Sequence, residues 1–233
     1  NLCNPTGFLA GETDWGYNSL TQMAINKWLY DRLNRTDFRK RSFIDPDRET
    51  YPASYYQWSS EAYLKAYPFE DQPDYKSFKI RCKAGDWETY SVGGAVDWPI
   101  MRVEEMYLIE AEAIGMSQSE AAGIAKLEEF MKTYRDPAYV FPSDGIAIDE
   151  IVFQKRVELW GEGQSFFDIK RLNKGIIRSY EGTNHIEGYR WNTDSVPQWM
   201  HLCIVQTETN FNRACTNNPT PIQPEKDSEP YKW

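Results

Sequence analysis

Residue types that carry metal or nucleophilic chemistry are scarce in this 233-residue chain. It has only two histidines, His185 and His201, and neither shares a helix with a nearby second ligand, which argues against a transition-metal site. The four cysteines lack C-x-x-C spacing, which argues against zinc. No G-x-S-x-G sequence, Cys–His pairing or phosphate-binding loop is present. We assign no cofactor and no metal ligand, and leave open a hard-cation site of carboxylates and carbonyls.

The cysteines leave two oxidation states open. Cys3, Cys82, Cys203 and Cys215 are an even number, which permits disulfides, and Cys203 with Cys215 is the pair nearest in sequence. Four free thiols fit the sequence equally well.

Positive charge and long apolar runs are also in short supply. The chain has 26 Lys and Arg against 35 Asp and Glu, a net charge of −9. An acidic chain is a poor partner for a phosphate backbone, so we exclude nucleic acid as a ligand. No apolar run approaches the roughly 20 residues that span a bilayer. The chain begins at Asn1 without a visible signal peptide, as a processed or truncated product would.

Aromatic residues, by contrast, are abundant. They make up 15% of the chain, with nine Trp and fifteen Tyr, which is more than a core of this size needs. Many lie between Asp45 and Asp86, where four prolines prevent long helices. Long loops in compact domains are usually functional or disordered, and the aromatic content favours a functional loop that exposes ring surfaces.

Hydrophobic spacing predicts helices before and after this loop. We expect one from Asn18 or Ser19 to about Asn34, a short one over 59–67, and a strand over 75–83. A charge-paired turn is expected at Asp37 and Arg39. Two further helices, the first beginning near Val103 and ending at Gly115, form an αα-hairpin of the kind found in tetratricopeptide repeats. Residues 117–120 have the sequence of a capping box for the second helix.

The stretch from Ile148 to Arg171 predicts a helix with buried charges. At 100° per residue, Arg156 lies in the middle of an apolar arc, and a buried guanidinium needs a carboxylate partner. The nearest carboxylates in sequence are Glu158, Glu162 and Asp168. Glu110 lies in the apolar arc of its own helix, and we expect it to meet a buried cation, for example Arg156. Gly161 and Gly163 end the helix, and Ser165 is expected to cap a short second helix that holds Phe166, Phe167 and Ile169. We interpret the charges as a structural ion network rather than a catalytic one. Its predicted members are Arg156, Glu158, Glu162, Asp168, Arg171 and Glu110.

The same stretch, R-V-E-L-W-G-E-G-Q-S-F-F-D-I-K-R, resembles the R-x-E-L-x-x-E-G-x-x-x-x-D-x-x-R signature of the SusD/RagB family. Gln154 stands where that family usually has an acid, which predicts one ion pair fewer. Three other segments resemble the family in the same order: D-F-R-K at 37–40, M-R-V-E-E-M-Y-L-I-E-A-E-A at 101–113, and Q-T-E-T-N-F-N at 206–212, preceded by Val205 in place of a proline. The residues that match the signature are Arg156, Glu158, Leu159, Glu162, Gly163, Asp168 and Arg171.

The resemblance implies a mainly α fold. This is a SusD-like helical scaffold of tetratricopeptide-like helix pairs, with long irregular loops and a few short strands. Complete members of the family are about twice as long and begin with a lipidated cysteine and several such helices. We therefore expect residues 1–233 to be the C-terminal portion of the domain, with the N-terminal tetratricopeptide-like part absent.

The resemblance also implies a function. The family consists of lipoproteins on the outer membrane surface of Bacteroidetes, which capture oligo- or polysaccharides without cleaving them and pass them to a SusC-like TonB-dependent transporter. The lipid anchor would lie outside this chain. Sugar rings stack on flat aromatic side chains, and their hydroxyl groups bond to polar side chains around them. The candidate ligand-binding residues are Trp15, Tyr17, Tyr55, Tyr56, Trp58, Trp87 and Tyr90.

Two alternatives stay open. The aromatic residues could contact a partner protein, as a lid of the transporter that binds peptide or no ligand in this half, because interfaces also favour Tyr, Trp and Arg. A glycoside hydrolase would need two carboxylates facing each other about 5–9.5 Å apart. The acids Glu104, Glu105, Glu110 and Glu112 share one helix and point to several sides, which disfavours that function.

Overall fold

A computed structural model of the chain describes residues 9–14, 23–56, 61–97, 99–219 and 224. The chain forms two compact units, residues 1–162 and 163–233. Helices predominate in the described residues, where strand pairing is confined to isolated bridges. Within these ranges, no helix combines the length and apolar character needed to cross a bilayer.

The first unit contains six α-helices in its described part, which we label α1 to α6. Short 3₁₀ turns connect them at Phe38–Ser42, Ala53–Tyr55, Phe69–Asp71 and Lys83–Gly85. The helices are α1 at Lys27–Asp31, α2 at Glu61–Ala66, α3 at Tyr90–Gly93, α4 at Val103–Ser117, α5 at Glu120–Tyr134 and α6 at Ala147–Glu158.

The second unit is less regular over its described residues. It contains α7 at Ser165–Arg171, α8 at Gln206–Phe211, and 3₁₀ turns at Glu187–Tyr189 and Gln198–Met200. Ile177 and Asn192 form an antiparallel bridge. Cys203 and Cys215 are free thiols, as is Cys82 in the first unit, so the pairing of Cys203 with Cys215 is not made. Cys3 lies outside the described residues.

The predicted αα-hairpin is confirmed in α4 and α5. Leu108 and Ala111 of α4 pack against Leu127 of α5 in a fully buried layer. The helices approach closely at Gly115 and Gly123, where a Cβ atom on Gly123 would lie 2.7 Å from the Cα atom of Gly115. The residue that caps α5 is Ser119, whose hydroxyl accepts from the Ala122 amide at 3.2 Å, rather than the first serine of the predicted box.

The first predicted helix is wrong over its described N-terminal part. Ala24 pairs with Lys76 in an antiparallel bridge, and α1 starts only after Asn26, whose side chain accepts from the Trp28 amide at 2.8 Å. The amide of Ile25 donates to the Tyr75 carbonyl at 3.0 Å, so pairing with a distant segment competes with the helix here. The strand predicted over 75–83 is correspondingly reduced to single bridges.

Helix α6 lies between two hydrophobic cores of the first unit. Phe153 and Val157 pack with Leu29 and Phe43 on one side. Ile151 packs with the α4–α5 hairpin on the other. Because both sides are covered, polar residues of α6 are buried as well, and each needs a partner.

A cluster of ion pairs surrounds the C-terminal end of α6. The carboxylate of Glu158 is 5% exposed. It accepts from Arg135 Nε at 2.7 Å, Arg102 Nη1 at 3.2 Å and Arg39 Nη1 at 3.4 Å. Burial alone would raise the pKa of Glu158, but these three guanidinium groups outweigh it and hold the pKa at about 2. Glu158 is therefore ionised throughout the neutral range.

The same cluster caps the helix. Lys79 Nζ donates to the backbone carbonyls of Glu158 at 2.7 Å and Trp160 at 2.8 Å, and to the Glu162 carboxylate at 2.5 Å. Arg102 also donates to the Glu158 carbonyl, at 2.7 Å, and to Glu162 at 2.9 Å. Cations at this end satisfy carbonyls that the helix leaves without amide partners and complement the helix dipole.

The network differs from the predicted one in its cations. Glu158 and Glu162 are members, as predicted, and the cations shown around them come from distant segments. Arg156 is half-buried. Glu110 is 49% exposed and lies 3.5 Å from Lys126 across the hairpin, which corrects its predicted burial against Arg156.

Two other predicted ion pairs join residues that are close in sequence. In the second unit, Asp168 pairs with Arg171 at 2.7 Å, three residues along α7. The charge-paired turn expected at Asp37 and Arg39 is confirmed, with a 2.6 Å contact.

Gln154, at the position where an acid was expected, makes hydrogen bonds to two charged side chains. Its Oε1 accepts from Arg39 Nη2 at 2.5 Å, and its Nε2 donates to Glu150 Oε1 at 2.8 Å. The amide therefore connects a buried cation to a buried acid.

We predict that Gln154→Glu destabilises the protein by about 2 kcal/mol, because the new carboxylate loses the donated bond and repels Glu150. Arg39 already has Asp37 and Glu158 as partners, so it gains little. Urea unfolding measures the change, and a more stable variant would contradict this account.

We predict that Glu158→Gln destabilises the protein by about 3–5 kcal/mol at pH 7, because three guanidinium groups lose their shared anion. The folded-state pKa of Glu158 is depressed, so its contribution is present above the unfolded value of about 4.3 and is lost as pH falls toward 2. The stability gap between wild type and variant, measured by urea unfolding, should therefore narrow from pH 7 to pH 3. Glu129→Gln, which removes an exposed acid, is the control and should change stability by under about 1 kcal/mol at both pH values. An equal gap at both pH values for Glu158→Gln would rule out the depressed pKa.

Candidate functional site

The aromatic residues of the proline-rich loop form a third core in the first unit. Tyr56, Tyr63 and Phe69 are buried in it together with Ile44 and Phe78. Half-buried side chains surround this core, and they include Tyr55 and Trp87. The loop is therefore ordered by its own aromatic packing, and only the outer rings of the cluster are available for a ligand.

Tyr67 and Trp87 form a corner on the outer side of this cluster. Tyr63, on α2, is 2% exposed, whereas Tyr67, one residue beyond the helix end, is 39% exposed. The Tyr67 and Trp87 ring centroids are 5.8 Å apart with the planes at 86°, and each ring also packs on Tyr63. Because the two side-chain rings are perpendicular and one of them is open to solvent, together they can contact the apolar face and the edge of one small cyclic ligand.

Buried polar side chains support the Tyr67–Trp87 corner. Gln72 donates to the carbonyls of Tyr67 at 3.1 Å and Pro68 at 3.3 Å, and accepts from Lys76 Nζ at 2.7 Å. Lys76 also donates to the Tyr63 hydroxyl at 2.9 Å. Burial lowers the pKa of Lys76 to about 8. These bonds hold the backbone around Tyr67 in place before any ligand arrives.

The described part of the N-terminal loop runs beside the segment that ends at Trp87. Ala10 bridges to Ile80, and Glu12 pairs with Arg81 at 2.8 Å. The Asp14 amide donates to the Trp87 carbonyl at 3.3 Å. Of the predicted binding residues, Trp15, Tyr17 and Trp58 lie outside the described residues.

The structure changes the assignment of the other predicted rings. Tyr56 is 4% exposed and its hydroxyl accepts from the Asp45 amide at 2.8 Å, so it belongs to the core, which corrects its predicted role. Tyr55 is half-buried under the Arg41 guanidinium, 4.9 Å from the ring centroid. Tyr90 is half-buried and its ring lies against Gly94. The binding role of Trp87 stays a prediction, and the exposed ring of Tyr67, which the sequence does not distinguish from other tyrosines, lies next to it.

A polar cavity of about 180 Å³ lies elsewhere in the first unit. Three acids line it, but each is engaged: Asp37 by Arg39, Glu150 by Arg32 at 2.8 Å, and Asp136 by Asn34 at 2.7 Å. Although burial would raise the pKa of Asp136, hydrogen bonds from Thr36 and Asn34 hold it below its ordinary value. A glycosidase acid needs a raised pKa, so this carboxylate does not fit that role.

Comparison with known proteins identifies the family. The sequence model of the SusD family matches residues 47–223, which include Tyr67, Trp87 and Glu158. The chain belongs to the SusD family. The resemblance drawn from the sequence is thereby confirmed. A comparison with curated proteins finds no match.

Solved structures show the same fold as this SusD-family chain. It is similar to a SusD superfamily protein of Bacteroides thetaiotaomicron VPI-5482, with a TM-score of 0.61 and 20% identity over 93% of this chain. It is also similar to a SusD-like carbohydrate-binding protein of Bacteroides vulgatus ATCC 8482, with a TM-score of 0.57 and 19% identity over 89%. The chain spans 44% of the length of each. The expected mainly helical, SusD-like fold is confirmed.

Proposed function

We propose that this chain is part of a non-catalytic binder that captures oligo- or polysaccharides at the bacterial cell surface. Membership of the SusD family, one of whose structural relatives is described as carbohydrate-binding, is the observation that carries the proposal. The Tyr67–Trp87 corner supplies the chemistry, because flat rings on a fixed backbone are what a sugar ring stacks on.

The family resemblance extends the proposal to the partner and the location. The binder delivers its glycan to a SusC-like TonB-dependent transporter, and a lipid anchor outside this chain holds it at the outer membrane. We further propose that residues 1–233 correspond to the C-terminal portion of the whole domain.

A protein-interaction role remains the second candidate because of an apolar surface at the start of α4. Ile100 is 83% exposed, Met101 is 70% exposed and Val103 is 63% exposed. Consecutive exposed apolar side chains of this kind are typical of a surface that contacts another protein. This role is compatible with glycan capture at the aromatic corner.

We expect Tyr67→Ala to weaken glycan binding about fivefold, since one stacking contact is worth roughly 1 kcal/mol. Trp87→Phe, which keeps an aromatic ring in the cluster, should have a smaller effect in the same direction. Retardation in gels containing soluble polysaccharides identifies the glycan, and calorimetry gives its affinity. Tyr134→Ala, at another exposed tyrosine, is the control and should bind as wild type does. Unchanged affinity in both corner variants would contradict the assignment of the site.

The hydrolase alternative is tested with the same polysaccharides. Incubation with wild-type protein should produce no new reducing ends, because the acids of the polar cavity are held by hydrogen bonds and ion pairs. New reducing ends that disappear in Glu150→Gln would overturn the non-catalytic role.

A further inference from the structure

Charge is distributed unevenly along the chain. Residues 163–233 contain eight Lys and Arg and eight Asp and Glu, so the entire net charge of −9 lies in residues 1–162. The second unit is therefore the part of the protein that does not repel an anionic ligand through its net charge.

Arg178 is stacked on a tryptophan pair in this unit. Its guanidinium carbon lies 4.4 Å from the centroid of the Trp191 ring. The Trp199 ring stands at 82° to Trp191 with the centroids 5.0 Å apart. A guanidinium above an aromatic ring is held by the cation–π attraction, and its N–H groups can still donate to a ligand.

The backbone around Arg178 is held on both sides. Its amide donates to Asn192 Oδ1 at 2.9 Å and to the Trp191 carbonyl at 3.2 Å. Its carbonyl accepts from the Thr183 hydroxyl at 2.9 Å, and Asn192 Nδ2 donates to the Ser179 carbonyl at 3.0 Å. Because the backbone is fixed, the side chain starts from a defined position, which lowers the entropy cost of binding.

Among the described residues, Arg178 differs from three arginines of the first unit, which are buried or half-buried, in its contacts with acids. Arg39, Arg102 and Arg135 each contact a carboxylate. Among the residues that the structure describes, none provides a carboxylate within 4.0 Å of Arg178 or Arg190. A partly desolvated guanidinium without a counter-ion is unfavourable, and an anionic ligand would remove that cost.

The neighbours of Arg178 add positive charge and an aromatic ring. Arg190 Nε donates to the His185 carbonyl at 2.8 Å. Burial, and then the charges of Arg178 and Arg190, lower the pKa of His185 to about 4, which shows that both guanidinium groups act on the same small region. Tyr189 is 58% exposed and adds a ring surface.

We propose that Arg178, stacked on Trp191, binds the carboxylate of an acidic sugar, so that the captured glycan contains uronic acid residues. This inference rests on the proposed function and deepens it by naming the class of glycan. The guanidinium edge matches a carboxylate in a bidentate arrangement, and the neighbouring Tyr189 ring offers a face for the sugar. A sulfate ester presents similar acceptor oxygens, so the test separates the two groups.

The test compares an oligogalacturonide, a neutral galactan oligosaccharide of equal length and a sulfated galactan oligosaccharide by calorimetry. Wild type should bind the oligogalacturonide about tenfold more tightly than the neutral ligand, and Arg178→Gln should abolish that preference. Arg213→Gln, which removes the same charge from an exposed position, should retain it. A preference for the sulfated ligand over the oligogalacturonide would overturn the carboxylate assignment.

Further outcomes separate this inference from the proposed function. Equal affinity for neutral and acidic ligands, unchanged by Arg178→Gln, overturns the inference and leaves glycan capture standing. Binding of free glucuronate that Arg178→Gln abolishes, without binding of any oligosaccharide, supports the carboxylate site and refutes glycan capture. If near-ultraviolet circular dichroism shows Arg178→Gln to be unfolded, Arg178→Lys replaces it. That variant keeps the charge without the bidentate edge, and its preference should fall severalfold.

Discussion

The first unit depends on the ion pairs that three arginines share with the carboxylate of Glu158. One buried carboxylate at the end of α6 accepts from arginines at positions 39, 102 and 135, which come from three separate segments. Glu162 and Lys79 add a fourth segment and cap the helix carbonyls. Buried ion pairs contribute little net stability compared with apolar packing, but breaking one is costly. The cluster therefore acts mainly to specify which segments meet at the end of α6.

The proline-rich loop, residues 45–86, is held mainly by packing among its own side chains. The loop forms its own small core, in which Tyr56 and Tyr63 are buried and Tyr67 is left partly exposed. Lys76 donates to Gln72 within the loop, and Lys79, three residues further along the chain, pairs with Glu162 of the charged cluster. The candidate site is thus built on a loop but positioned by the charged scaffold next to it, which is a common arrangement for binding residues.

The two units use arginine in different ways. In the first unit the buried guanidinium groups are neutralised by carboxylates, and they hold segments together. In the second unit Arg178 stacks on Trp191 and is fixed through its backbone. A side chain of the same type is thus held by carboxylates in one unit and placed over an aromatic ring in the other.

Local spacing determined much of this protein. It predicted the α4–α5 hairpin, the helix that ends before Gly161, and the charged turn at Asp37 and Arg39. These features depend on neighbours within a few residues, and hydrophobic period and glycine position encode them directly.

Other features required the tertiary structure. Which cations meet Glu158 and Glu162, and which of many tyrosines is buried, depends on contacts between residues far beyond one helical turn, such as Arg102 with Glu158 and Lys79 with Glu162. An apolar arc indicates that a residue is near the core, but it does not show what faces it, which is why the burial predicted for Glu110 was wrong. The sequence alone therefore determined the helices and the family, whereas the tertiary structure decided the ion partners and the exposed rings, because both depend on packing between distant segments.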